Sequence, residues 1–133
     1  MIRKPVLLLG LQLGLLSACA AQANPQTPQV VHGSATFSNP TANTLQVTNT
    51  PNAVINWQSF SIGVAETTKF VQQSANSAVL NRVTGVNPSE ILGQLQSNGQ
   101  VYLINPNGLV FGANAVVDTA GFIGRQWFSS DNY

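Results

Sequence analysis

Ionic side chains are scarce in this sequence: Asp, Glu, Lys and Arg together make up 7% of its 133 residues. The carboxylates Glu66, Glu90, Asp118 and Asp131 are scattered with no close spacing, so no pair is set up for general acid–base chemistry. His32 is the single histidine, and no second ligand near it in sequence completes a metal-binding pattern. The many serines fall in no G-x-S-x-G or S-x-x-K pattern. Catalysis is therefore not expected, nor a cofactor, nor a small-molecule substrate. From Asn24 onward, Lys69, Arg82 and Arg125 face the four carboxylates for a net charge of −1, without the basic footprint that nucleic acid demands. That stretch also has no cysteine, because the only one is Cys19. Without disulfides or thiolate metal sites, an exported chain takes its stability from packing and backbone pairing.

Long apolar runs are missing too. The longest, Val6 to Leu16, is interrupted by Gly10, Gln12 and Gly14 and falls short of the roughly 20 residues a membrane-spanning helix needs. It follows Arg3 and Lys4 and precedes small residues, which is the order of an export signal. Two signal ends fit. Ala21-Gln22-Ala23 is a small-x-small site, with cleavage after Ala23. Leu16-Ser17-Ala18-Cys19 has the form of a bacterial lipobox, and lipidation at Cys19 would make the product a small outer-membrane lipoprotein with a β domain. The expected organisation is a signal at 1–23, one domain at 24–124 and a non-matching tail at 125–133.

What the chain does have is a series of short apolar runs: 44–48, 53–57, 60–62, 69–72, 79–83, 90–95, 101–104, 109–111 and 115–117. They recur every 7 to 12 residues, favour Val, Ile, Phe and Tyr, and are separated by Asn, Gly, Ser, Thr and Pro. That pattern predicts an all-β fold. Ala53, Ile55 and Trp57 share one strand face, and Phe60 and Ile62 continue it after a slip at Gln58-Ser59, as at a bulge or corner. Ile91, Gly93 and Leu95 alternate, and Gly93 counts against a helix over 89–96. The polar positions are mostly uncharged, with fourteen Asn; stacked parallel strands favour such residues because like side chains pair between rungs without repulsion. Val79 to Val101 spans 22 residues and Val101 to Phe122 spans 21, lengths suited to one coil of a solenoid. Trp57, Phe60 and Tyr102 are expected in the core.

The densest piece of turn chemistry is Asn105-Pro106-Asn107-Gly108. Asn suits position i of a type I turn, Pro fixes φ at i+1, Asn tolerates i+2 and Gly is favoured at i+3. Taken alone, it reads as the tight turn of a core hairpin, and its one closing hydrogen bond would contribute about 1 kcal/mol. The runs beside it, apolar at nearly every position, suggest strands covered on both faces.

The segments AVINWQSFSIG (53–63), FVQQSANSAVLNRVTG (70–85), PSEILGQLQSNGQVYLINPNGLVFG (88–112) and AVVDTAGFIG (115–124) together resemble the N-terminal secretion domain of filamentous-haemagglutinin-type exoproteins, the two-partner secretion or haemagglutination activity domain. The resemblance runs almost continuously from Val30 to Gly124, and its pattern takes in Asn81, Arg82, Gly93, Asn98, Gly99, Phe111 and Gly112. It implies a right-handed parallel β-helix, incomplete here at the C-terminus. It implies as partner an outer-membrane barrel transporter whose POTRA domains capture the unfolded chain in the periplasm. Outside the cell the domain would fold first and template a longer passenger, which would make any contact with a host-cell surface. Asn105, Pro106, Asn107 and Gly108 become the secretion motif, and ordinary cleavage after Ala23 becomes the preferred signal end. The expected product is secreted or held at the cell surface.

The chain departs from the family beyond Gly124, where GFIG gives way to RQWFSSDNY. The expectation is a truncated fragment whose last coil ends at an uncapped edge, and which neither folds stably alone nor delivers a passenger.

Overall fold

The computed structural model describes residues 24–126. Residues 1–23, where a signal is expected, with Ala23 and Cys19 among them, and residues 127–133 lie outside the described residues. Twelve strands follow one another: β1 (Gln26–His32), β2 (Ala35–Thr41), β3 (Thr44–Asn49), β4 (Ala53–Ser59), β5 (Thr67–Val71), β6 (Ala78–Val83), β7 (Ser89–Ile91), β8 (Gln94–Ser97), β9 (Gln100–Ile104), β10 (Leu109–Phe111), β11 (Val116–Asp118) and β12 (Gly121–Arg125). From β3 onward they wind into a parallel β-solenoid of about four turns.

Three sheets form its faces. One has the order β1-β4-β6-β9-β12, the second β11-β8-β5-β3-β2, and the third pairs β10 with β7; Ile62 joins Ile91 through an isolated parallel bridge. Each coil contributes one strand to each of the two five-stranded sheets, while only β7 and β10, from the two middle coils, build the third face. The register places Val79 beside Val101 and Val101 beside Phe122, so the two spacings read from sequence are two true coil lengths.

Inward residues stack in columns: Ala53, Val79, Val101 and Phe122 on the first sheet, Leu45, Thr68, Leu95 and Val117 on the second. Trp57, Phe60 and Phe70 are fully buried. Trp57 meets Phe60 edge-on at 5.6 Å, and Phe60 stacks with Phe70 at 6.4 Å, within the roughly 4.5–7 Å range where aromatic pairs attract. The phase slip after Trp57 is the corner that ends β4, with Phe60 and Ile62 both buried beyond it.

Four expectations are corrected. Residues 89–97 are two strands, not one, broken by a corner at Leu92-Gly93, although Ile91 and Leu95 do both point inward. The strands around the Asn-Pro-Asn-Gly turn are not covered on both faces: in β9 only Val101 and Leu103 are buried, and in β10 Val110 is 52% exposed. Tyr102 lies on the outer, half-buried face, beside Leu80 and Ile123. The turn is no hairpin, because β9 and β10 belong to different sheets.

Three strands, β1, β2 and β12, have no counterpart among the apolar runs. β1 and β2 run antiparallel to β4 and β3 and close the first coil. They carry Pro28 and Pro40, residues that blunt a sheet edge. At the opposite end, β10, β11 and β12 are the last strands of their sheets among the described residues. Phe111, Val117 and Ile123 are 37–47% exposed there. β12 continues through Arg125, which pairs with Ile104.

Candidate functional site

The Asn105–Gly108 turn is the corner between β9 and β10, stacked on the equivalent corner of the coil before it. The Gly108 N–H donates to the Asn105 carbonyl at 3.1 Å, and the Asn107 N–H donates to Asn105 Oδ1 at 2.8 Å. This is the Asx-supported turn that the residue types call for. Gly108 takes φ +117°, a conformation closed to residues with a Cβ.

Asn105 does more than shape the turn. Its side chain is fully buried. Its Nδ2 donates to the Asn87 carbonyl at 3.0 Å and to Ser89 Oγ at 2.9 Å, both on the preceding coil. Its Oδ1 accepts from the Asn107 backbone and from Asn107 Nδ2, while its own N–H donates to the Arg125 carbonyl of the following coil at 2.9 Å. One residue therefore ties three successive coils. Pro106 and Asn107 are exposed. Asn107 Nδ2 donates to the Gly85 carbonyl at 2.8 Å, and the Pro106 carbonyl accepts from Gln126.

The other family-pattern residues lie elsewhere on the solenoid, also where coils meet. Asn81 is fully buried in a column with Ile55 and Leu103. Its Oδ1 accepts from the Trp57 indole N–H at 2.8 Å, and its Nδ2 donates to the Tyr102 carbonyl at 3.2 Å, joining the coils on either side. Arg82, on the outer face, donates from Nε to Asn56 Oδ1 at 3.0 Å. Asn98 mimics a backbone pairing with Gln72, accepting its N–H and donating to its carbonyl, each at 2.7 Å. At Gly99 a Cβ would come within 2.7 Å of the Gln72 side chain, and at Gly112 within 2.8 Å of Leu92 Cδ2. At Gly93 it would strike the carbonyl oxygens of Gly63 and Glu66, at 2.2 and 2.3 Å. Phe111 meets Phe122 edge-on at 5.9 Å.

The structure thus brings together Asn105, Pro106, Asn107 and Gly108, puts Gly93, Asn98, Gly99 and Gly112 at other corners, and sets Asn81, Arg82 and Phe111 within strands β6 and β10. It adds partners that sequence reasoning did not single out: Gly85, Asn87 and Ser89 beneath the turn, and Gln72, whose Nε2 reaches Ser97 and Gln100 while its Oε1 accepts from Asn49. One signal was there to be read. Asn87-Pro88 precedes Asn105-Pro106 by 18 residues, one coil earlier at the same corner.

A family profile described as the TPS secretion domain matches residues 20–123. Two heme/hemopexin-binding proteins of Haemophilus influenzae are similar to the chain. The first, from strain Rd, is 43% identical over 103 residues, covering 77% of this chain and 11% of that protein. The second is 35% identical over 120 residues, covering 85% of this chain and 13% of that protein. The crystal structure of the HMW1 secretion domain from Haemophilus influenzae superposes with a TM-score of 0.76 at 43% identity, covering 82% of this chain and 29% of that one. The chain thus spans only 11% and 13% of the length of the two curated relatives. These relatives are a secretion domain and binding proteins rather than enzymes, and none supports a lipoprotein anchored at Cys19.

Proposed function

Because the chain belongs to the TPS secretion domain family, whose members direct exoproteins through a partner transporter, we infer that the Asn105–Gly108 corner is what this chain's transporter reads, and that it reads it before the chain folds. The observation that carries this is the burial of Asn105. Its amide is fully enclosed, with Nδ2 spent on Asn87 and Ser89 of the preceding coil and Oδ1 on Asn107 of its own turn, so the asparagine can be offered to a partner only while the coils are apart. The partner is an outer-membrane barrel with periplasmic POTRA domains, reached after export to the periplasm.

Folding outside the cell then has a direction. The N-terminal edge is closed by antiparallel strands bearing prolines, whereas β10, β11 and β12 present parallel edges in register for a further coil. The domain nucleates the β-helix of an adhesin-type exoprotein, and adhesion to a host cell belongs to that longer protein. The test uses immobilised POTRA domains of the transporter and the chain offered either freshly diluted from urea or after refolding. Binding is expected from the diluted chain only. Equal binding by the refolded chain would overturn recognition before folding.

The mature chain begins at Asn24, after cleavage at Ala23. Asn24 is already part of the fold: its Oδ1 accepts from the buried Thr68 hydroxyl at 3.0 Å and its Nδ2 donates to the Asn43 carbonyl at 3.3 Å. Intact mass of the exported protein should correspond to residues 24 onward. A mass carrying diacylglycerol on Cys19 would instead restore the lipoprotein reading.

A further inference from the structure

Of the fourteen asparagines, two are followed by glycine, Asn98-Gly99 and Asn107-Gly108. An Asn-Gly bond is chemically fragile. The glycine nitrogen, unhindered by a Cβ, attacks the asparagine Cγ; the new N–C bond expels ammonia and leaves a five-membered succinimide. Water then opens either carbonyl to give aspartate or isoaspartate. The balance is one amide and one water in, one carboxylic acid and one ammonia out, with no change of oxidation state. Asn24, Asn39, Asn87 and Asn105 precede proline, whose nitrogen has no hydrogen to lose in that attack, so the hazard concentrates at two positions.

In the fold, both positions are exposed to water but held against the reaction. The Gly99 N–H donates to Ser97 Oγ at 3.0 Å and the Gly108 N–H to the Asn105 carbonyl at 3.1 Å. The Asn98 amide is clamped at both ends by the Gln72 backbone. The Asn107 Nδ2 is tied to Gly85 and Asn105. Attack requires both the nucleophile and the amide to be freed, so it needs local opening.

We propose that Asn98 and Asn107 are deamidation sites of the unfolded chain which the solenoid shields, and that conversion at Asn98 is the one that prevents the second and third coils from docking. Aspartate at 98 would set a carboxylate oxygen against the Gln72 carbonyl where a donor now sits at 2.7 Å. Isoaspartate would also lengthen the backbone beside Gly99, where the fit against Gln72 and Ser77 has no slack. At Asn107 the missing donor would leave the Gly85 and Asn87 carbonyls to water and Asn105 Oδ1 with the Asn107 N–H, so the damage is milder. The consequence for secretion rests on the inference that the chain travels unfolded: delay before folding would then retire chains irreversibly, at a residue that the family pattern also contains.

The experiment incubates the whole chain at mildly alkaline pH, folded in buffer or unfolded in urea, and maps peptides by mass spectrometry. Amide-to-acid conversion at 98 and 107 is expected to run about tenfold or more slower in the folded chain. After dilution from urea, chains modified at 107 should be recovered in the folded fraction and chains modified at 98 should be missing from it. Asn98→Asp and Asn107→Asp, made directly, should reproduce that split. Equal rates in the two states would overturn the shielding, and normal refolding of chains carrying the acid at 98 would overturn its role in docking. The rate comparison stands even if Asn98→Asp fails to fold.

Discussion

Gly93→Ala is expected to cost about 3 kcal/mol or more, a large fraction of the roughly 5–15 kcal/mol that holds a domain of this size together. The backbone at Gly93 is an ordinary one, since its φ is not positive, so the requirement for glycine is purely spatial. A Cβ there would lie 2.2 Å from the Gly63 carbonyl oxygen and 2.3 Å from that of Glu66. Both are backbone atoms of the stacked corner below, and neither can step aside. The same corner holds hydrogen bonds from Leu92 N–H to the Ile62 carbonyl at 2.8 Å and from Gln94 N–H to the Glu66 carbonyl at 3.0 Å. Forcing the corners apart would stretch them all. Gly121→Ala is the control, because its Cβ would meet nothing closer than Gln100 Cγ at 3.5 Å, and it should change stability by less than about 0.5 kcal/mol. Urea unfolding followed by circular dichroism compares the two. Equal midpoints would show that the corner tolerates a methyl group.

Asn105→Ala comes next in size, at about 2–3 kcal/mol. This revises the sequence expectation of a single hydrogen bond closing a turn. The alanine would leave the Asn87 carbonyl and Ser89 Oγ without a buried donor, and the Asn107 N–H without its acceptor. Pro106→Ala and Asn107→Ala alter exposed positions at the same corner and should each cost about 1 kcal/mol or less. The consequence for any secretion assay is direct. A defect from Asn105→Ala mixes impaired recognition with reduced stability, while a defect from Pro106→Ala or Asn107→Ala with an unchanged urea midpoint isolates recognition. If Asn105→Ala unfolds at the same urea concentration as the parent, the amide is not holding the coils together and its role is recognition alone.

The parts of the fold that were legible in the sequence are those in which local chemistry and tertiary position agree. Apolar residues recur where coils need filling, so β3 to β11 fall close to the runs read from sequence, and the Val79–Val101–Phe122 spacing is the coil repeat itself. The turn at Asn105–Gly108 was legible in type because Asn, Pro and Gly restrict φ and ψ locally. The cap was not. β1 and β2 hold little beyond Val30, Val31 and Phe37 as large apolar residues and include three prolines flanking or within them, at 25, 28 and 40. They are strands because β4 and β3 offer them an open edge.

By itself, then, the sequence determined the class of fold, the coil length and the family, because apolar spacing, uncharged polar rungs and turn residues act over a few positions of chain. Only the tertiary structure decided what the polar residues are for. Asn81 between Trp57 and Tyr102, Asn98 against Gln72, and Asn105 between the coils before and after its own all find partners 18 to 26 residues away, or on the following coil. An asparagine written alone looks like a loop residue. Placed where successive coils stack, it becomes a donor and acceptor whose partners exist only once its neighbours have folded, and no local pattern encodes that.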